Sequence, residues 1–218
     1  MKTIFCVVFA AFLLLAGCVS GPPLQVNPSD WQKAAIEAGQ TAAPKSLVLV
    51  FDGSGSMRSS LYEAKTAIGT YVKALPVDIS LGLVVFDERG LRKVADLSTD
   101  RELFQKGVQS VVARDNTPLG EAVETAYLML AAQAKKLNAR GEYHLVVVTD
   151  GEADSNELLE NNVKAIVGNS PVKLFTIGFK IGTNHVLNRP GPQVRYVSAD
   201  NEAQLRQGLQ KVLAETEP

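Results

Sequence analysis

Three oxygen-bearing side chains stand at alternate positions in Asp52-Gly53-Ser54-Gly55-Ser56, directly after the apolar run Leu47-Val48-Leu49-Val50-Phe51. One carboxylate and two hydroxyls are hard oxygen donors, the kind that a small divalent cation such as Mg²⁺ prefers. The intervening glycines let the backbone turn sharply. Asp150 ends a second apolar run, Val146-Val147-Val148-Thr149-Asp150-Gly151, and it too is followed by glycine. The loop Asp115-Asn116-Thr117-Pro118 offers a further hydroxyl just before a long helical pattern.

These groups can meet only if the elements between them bring them to one rim. From Lys45 the chain alternates strand and helix patterns. Strands are predicted over 47–51, 79–86, 92–97, 143–149, 172–178 and 194–198, and helices over 61–75, 101–111, 119–137, 156–167 and 202–213. Asp87-Glu88-Arg89-Gly90 reads as the turn of an antiparallel hairpin. Leu128, Leu130 and Leu137 are taken as apolar positions of the long helix. Continuous apolar strands separated by helices indicate a mostly parallel sheet covered on both faces. Ligands of such sheets bind outside the carboxyl ends of the strands, where Asp52 and Asp150 both lie.

Taken together, Asp52-x-Ser54-x-Ser56, Thr117 and Asp150 resemble the metal-ion-dependent adhesion site of the von Willebrand factor type A domain. The resemblance covers residues 45–218 and includes the phrases Val50-Phe51-Asp52-Gly53-Ser54-Gly55-Ser56-Met57 and Val148-Thr149-Asp150-Gly151. It implies an α/β fold of Rossmann-like, three-layer form, with a mostly parallel central sheet, one antiparallel edge strand and helices on both faces. It also implies that Ser54 and Ser56 bind a metal directly. Thr117, Asp52 and Asp150 would bind directly or through water. Mg²⁺ is the expected ion, with Mn²⁺ or Ca²⁺ as alternatives. Asn116 departs from the glycine common at that position, which affects the loop geometry. Three neutral hydroxyls and two carboxylates roughly balance a divalent charge and leave the cation electrophilic. An Asp or Glu carboxylate from a protein partner can then complete the coordination, whereas four or five carboxylates would repel it. If Asp52 and Asp150 merely capped helices, each alone would be explained, but not the joint pattern.

Enzyme signatures fail residue by residue. A phosphatase with an aspartyl nucleophile at Asp52 needs a second Asp where Ser54 stands. A nucleophile elbow breaks at Met57, and a dinucleotide fingerprint breaks at Arg58. His144, expected as a packed or edge residue, and His185 have no triad signature beside them. Glu152 and Asp154 are expected to start the next helix, where acids suit the dipole. The loop from Lys180 to Gln193 could border the site or lie at the far edge of the sheet. The expected function is therefore metal-dependent binding of a protein partner, not an enzymatic one. The alternatives are a metal-independent envelope scaffold and a metal-dependent hydrolase.

The N-terminal stretch from Ile4 to Leu15 is apolar but too short to span a bilayer. It runs into Leu15-Ala16-Gly17-Cys18, which resembles the lipobox of bacterial lipoprotein precursors. That resemblance implies a signal peptide over 1–17 and a lipidated Cys18, hence a membrane anchor in the cell envelope. Val19 rather than Asp implies the outer membrane in a Gram-negative source. Residues 18–44 form the lipidated Cys and a tether, and 45–218 the von Willebrand A-like domain. Within the tether, Ser29 and Gln32 stand at capping-box spacing for a short helix to about Glu37 or Ala38, ending near Gly39. Trp31 and Ile36 are expected to pack on the domain. With Cys6 in the leader and Cys18 lipidated, no cysteine remains for a disulfide or thiolate site. Formal net charge is −1, with basic residues scattered apart from Arg92-Lys93 and Lys135-Lys136. That excludes a nucleic-acid stripe.

Overall fold

Along Lys45–Asp52 every residue after the first is buried, as an apolar run without polar alternation requires. The protein is described from a computed structural model that covers residue 22 and residues 24–31, 43–114, 116–151 and 153–216. The leader, Cys18, Gln32, Ile36, Gly39, Asp115 and Glu152 lie outside the described residues.

The strands are β1 Lys45–Asp52, β2 Ser80–Asp87, β3 Gly90–Ser98, β4 Glu142–Thr149, β5 Lys173–Phe179 and β6 Val194–Ala199. The helices are α1 Leu61–Ala74, α2 Arg101–Gln109, α3 Leu119–Lys136, α4 Asn156–Asn169 and α5 Glu202–Thr216, with 3₁₀ turns at Pro28–Trp31 and Ser56–Ser59. The six strands form one sheet in the order β3-β2-β1-β4-β5-β6. Its pairings are parallel except that of β2 with the edge strand β3. Strand alternation divides the core. Leu47, Leu49 and Phe51 pack with residues of α1, α2 and α5, while Val48 and Val50 pack with residues of α3 and α4. The three-layer α/β architecture is the expected one.

Two details differ from expectation, and for His144 the structure decides between the two expected placements. Leu128 is 52% exposed while Leu130 is fully buried. Two residues on a helix lie about 200° apart, so the pair cannot share one buried stripe. His144 is fully buried in the interior strand β4 and stacks on Phe175, with ring centroids 5.8 Å apart; it is packed, not at an edge. The turn near Trp31 begins at Pro28, and Asn27 caps it. Asn27 Oδ1 accepts from the Ser29 N–H at 3.0 Å and from Ser29 Oγ at 2.8 Å. Proline suits the first position because its missing N–H leaves no orphan donor.

Residues 24–31 are seated on the α3 face. The Leu24 N–H donates to Asn162 Oδ1 at 3.0 Å. Trp31 is buried against Tyr127 and Tyr143, at ring distances of 5.9 and 5.0 Å, and its Nε1–H donates to the Tyr127 hydroxyl at 3.1 Å.

Candidate metal centre

From β1 the chain passes through α1 to β2 on one side, then returns past β1 to place β4 on the other. Helix α1 covers one face of the sheet and α4 the opposite face. This reversal opens a crevice at the carboxyl ends of β1 and β4, the place where ligands of open α/β sheets bind. Asp52 is the last residue of β1, and Asp150 directly follows β4.

Close packing fixes the turn after β1. The Gly53 N–H donates to the Phe86 carbonyl at 2.9 Å, and the Gly53 carbonyl accepts from the Arg114 N–H at 2.9 Å. A Cβ at residue 53 would lie 2.8 Å from Phe86 O and 2.7 Å from Val111 Cγ1, so only glycine fits. The Ser54 N–H donates to Asp52 Oδ1 at 2.7 Å. Ser54 Oγ lies 3.0 Å from Ser56 Oγ, which donates to Asp150 Oδ1 at 2.6 Å. Four of the five sequence candidates thus form one connected oxygen cluster. Thr117 reaches the same rim differently. Its N–H donates to both Asp154 carboxylate oxygens, at 3.0 and 3.1 Å, and its carbonyl accepts from the Asp154 N–H at 2.9 Å. Among the described residues its hydroxyl makes no hydrogen bond to the other four.

The carboxylates at the strand ends differ in how they are satisfied. Asp52 is fully buried, and burial pushes its carboxyl up to about 6 despite hydrogen bonds from Thr149 and Ser54. Burial also raises Asp150, opposed by the Ser56 hydrogen bond and the Lys180 charge. Asp87 likewise ends an apolar strand, β2, though Glu88 and not glycine follows it, and it has the opposite outcome. Burial pushes it up, but Arg92 at 2.7 Å, Arg89 at 3.2 Å and the Arg89 and Val112 N–H groups outweigh burial and lower it. Asp87 is neutralised within the fold; Asp52 and Asp150 have no arginine partner among the described residues.

This donor set fits a small divalent cation. Adjacent ligands of an octahedral Mg²⁺, at about 2.0–2.1 Å from the ion, lie about 2.9 Å apart. The oxygen separations of 3.0 and 2.6 Å bracket that edge. Among the described residues no three His, Cys, Asp or Glu side chains gather to hold a metal, so a metal here depends on hydroxyls.

Four residues of this neighbourhood escaped the sequence reading. Thr149 Oγ1 donates to Asp52 Oδ2 at 2.5 Å; a lone hydroxyl closing a valine run was the available signal. Asp154, one residue ahead of the α4 cap, clamps Thr117; the cap itself is Ser155, which accepts from the Leu158 N–H at 3.2 Å. The loop after β5 borders the rim. His185 Nδ1 accepts from the Leu187 N–H at 3.1 Å, so Nε2 carries the proton and donates to Gly151 O at 3.1 Å. Lys180 Nζ donates to Ser60 Oγ at 2.9 Å.

Comparison with known proteins bears on the fold. The family model for the von Willebrand factor type A domain matches residues 46–211. A von Willebrand factor type A structure from Catenulispora acidiphila superposes with a TM-score of 0.66 at 20% identity, covering 80% of this chain and 43% of that one. The vWF domain of the type V pili tip protein Mfa5 from Porphyromonas gingivalis gives 0.67 at 12% identity, covering 81% and 96%. The pilus adhesin SpaC from Lactobacillus rhamnosus GG, in its open conformation, gives 0.66 at 15% identity, covering 81% and 30%. No curated protein matches the chain. The sheet order, the helices on both faces and the match over residues 46–211 together show that the chain belongs to the von Willebrand factor type A domain family.

Proposed function

We propose that this protein is a lipid-anchored component of the cell envelope. Its von Willebrand A domain captures a protein partner through a divalent cation held by Asp52, Ser54, Ser56, Thr117 and Asp150. The observation that carries this is the hydroxyl–carboxylate chain Ser54–Ser56–Asp150 at the crevice between β1 and β4. Two carboxylates there lack a protein cation strong enough to keep them in the ordinary acid range. Mg²⁺ is the proposed ion, with Mn²⁺ or Ca²⁺ as substitutes. When bound, it supplies an electrophilic position that an Asp or Glu carboxylate of the partner can fill. Ser54 and Ser56 contribute neutral oxygens and so leave that position attractive to an anion. Asp52, Asp150 and the Thr117 clamp orient the set. The proposed role is binding without turnover. The pilus-tip and pilus-adhesin neighbours support a surface-binding role, and Cys18 in its lipobox-like setting supports the anchor.

Ser54→Ala tests the site. Calorimetric titration with Mg²⁺ should give saturable heat for the wild type and none for the variant, with unchanged circular dichroism. Partner capture from envelope extracts should be lost in EDTA. Capture indifferent to chelation would favour a scaffold that does not use the metal. Cys18→Ser should move the protein to the soluble fraction.

A further inference from the structure

Lys180 follows the last residue of β5, with φ at 65°, in the left-handed region that a residue with a Cβ enters only at a cost. Glycine or asparagine would sit there more easily, so the lysine side chain is what needs explaining. β5 is the neighbour of β4, and Gly178 pairs with Thr149, so Lys180 emerges on the rim beside Asp150. Its ammonium donates to the hydroxyl of the buried Ser60, lies 3.9 Å from Glu63 Oε2, and stands 5.1 Å from the Phe179 ring centre. Glu63 Oε2 is itself buried without a hydrogen-bond partner. Ser60 Oγ does not cap α1; it receives the lysine. A fixed positive charge is therefore strapped beside the oxygen cluster, between the turn that carries Ser56 and the strand end that carries Asp150.

We propose that Lys180 determines specificity at the metal site: its charge weakens the hold on the cation and strengthens the hold on an anionic ligand, so that cation and carboxylate bind together. This depends on the proposed metal-bridged function. Lys180 offsets one of the negative charges that Asp52, Asp150 and Glu63 bring to the rim, where Asp154 adds another. Without Lys180 the loaded rim is more negative and repels a carboxylate more strongly, while the cation gains affinity.

The test uses the full chain and Mn²⁺ alone, titrated by calorimetry. Lys180→Asn suits the left-handed backbone and removes the charge; Lys180→Arg keeps the charge. Lys180→Asn should bind Mn²⁺ about fivefold tighter than the wild type at low salt. The gap should close between about 0.01 and about 1 M salt, as screening of a charge effect requires. Lys180→Arg should stay near the wild type. Ser60→Ala, which cuts the strap but keeps the charge, should not reproduce the tightening. Replacing chloride by acetate at constant ionic strength should strengthen Mn²⁺ binding more in the wild type than in Lys180→Asn. Equal affinities of wild type and Lys180→Asn, a salt-independent gap, or an equal acetate response would overturn this inference alone. Binding by neither protein would overturn the metal-bridged function as well.

Discussion

Asp52→Asn separates a carboxylate kept for a cation from one kept for the fold. In the cation-free protein, burial holds the Asp52 carboxyl at about 6 against an ordinary 3.8. At pH values well above 6, keeping that charge buried therefore costs about 3 kcal/mol, at about 1.4 kcal/mol per pH unit of displacement. Asparagine keeps the shape and an acceptor for the Ser54 N–H, and removes the charge. In EDTA the variant should be more stable by up to about 3 kcal/mol, a rise in Tm of roughly 6–12 °C for a chain of this size.

Mg²⁺ should reverse the order. A ligand at about 100 times its Kd stabilises by about 2.7 kcal/mol, and at about 1,000 times by about 4.1. The wild type should gain that shift and the variant none, so the two melting curves converge and then cross as Mg²⁺ is raised. Differential scanning calorimetry in EDTA and across a Mg²⁺ series reads both effects. A variant that melts below the wild type in EDTA would show that the buried carboxylate stabilises the fold. An equal Mg²⁺ shift in both proteins would place the cation elsewhere. Either result refutes the reasoning.

Three further outcomes are expected. Thr149→Val removes the hydroxyl that donates to Asp52 Oδ2 at 2.5 Å; Mg²⁺ affinity by calorimetry should fall about tenfold, as loss of a supporting hydrogen bond to a ligand does. Trp31→Ala empties the space against Tyr127 and Tyr143 and should cost about 3–5 kcal/mol in urea unfolding without abolishing the Mg²⁺ shift; unchanged stability would mean that residues 24–31 fold independently of the domain. His144 is fully buried, and burial and Lys173 lower its pKa to about 4 against Glu142, whose Oε2 lies 3.5 Å away. The unfolded state takes up this proton near pH 6.5 and the folded state only near 4, so stability of roughly 3 kcal/mol is lost as pH falls across that window. Asp52 has the opposite sign: the folded state binds its proton first, so the cation-free wild type gains stability as pH falls from about 6 towards 3.8. The two slopes nearly cancel. Asp52→Asn should therefore show a steep acid loss in EDTA, and adding His144→Leu should remove that loss; identical pH profiles for wild type and Asp52→Asn would contradict the Asp52 assignment, and an acid loss that survives His144→Leu would contradict that of His144.

Much of this was legible because apolar runs declare themselves. Leu47 to Phe51 and Leu145 to Val148 carry no polar alternation, so both had to be interior strands, and the residues following them had to reach the rim. What was not legible depends on pairs far apart in the chain. Asp154 and Thr117 are 37 residues apart, and Lys180 and Ser60 are 120. Nothing local marks Asp154 as a clamp, because an acid ahead of a helix reads equally well as a dipole partner. Ser29 misled for a related reason. Ser-x-x-Gln imitates a capping box, but Pro28 can open the turn one residue earlier with Asn27 as its cap. Lys180 shows no sequence signal of strain, since a left-handed lysine looks like any other lysine.

Asp52, Asp87 and Asp150 carry the argument from fold to function furthest. All three end apolar strands on one rim, and burial pushes each of them up. The hairpin gives Asp87 two arginines, and the fold closes its account internally. Asp52 and Asp150 face the crevice where the order of strands reverses, and their neighbours there are hydroxyls. Hydroxyls share protons with a carboxylate but do not neutralise it. A chain selected only for stability would gain by replacing a buried, unneutralised Asp52 with a neutral residue. Retaining it beside Ser54 and Ser56 makes sense if its counter-charge comes from solution. An ion supplied that way can also be shared with a second molecule, whereas an arginine already engaged in a buried pair cannot.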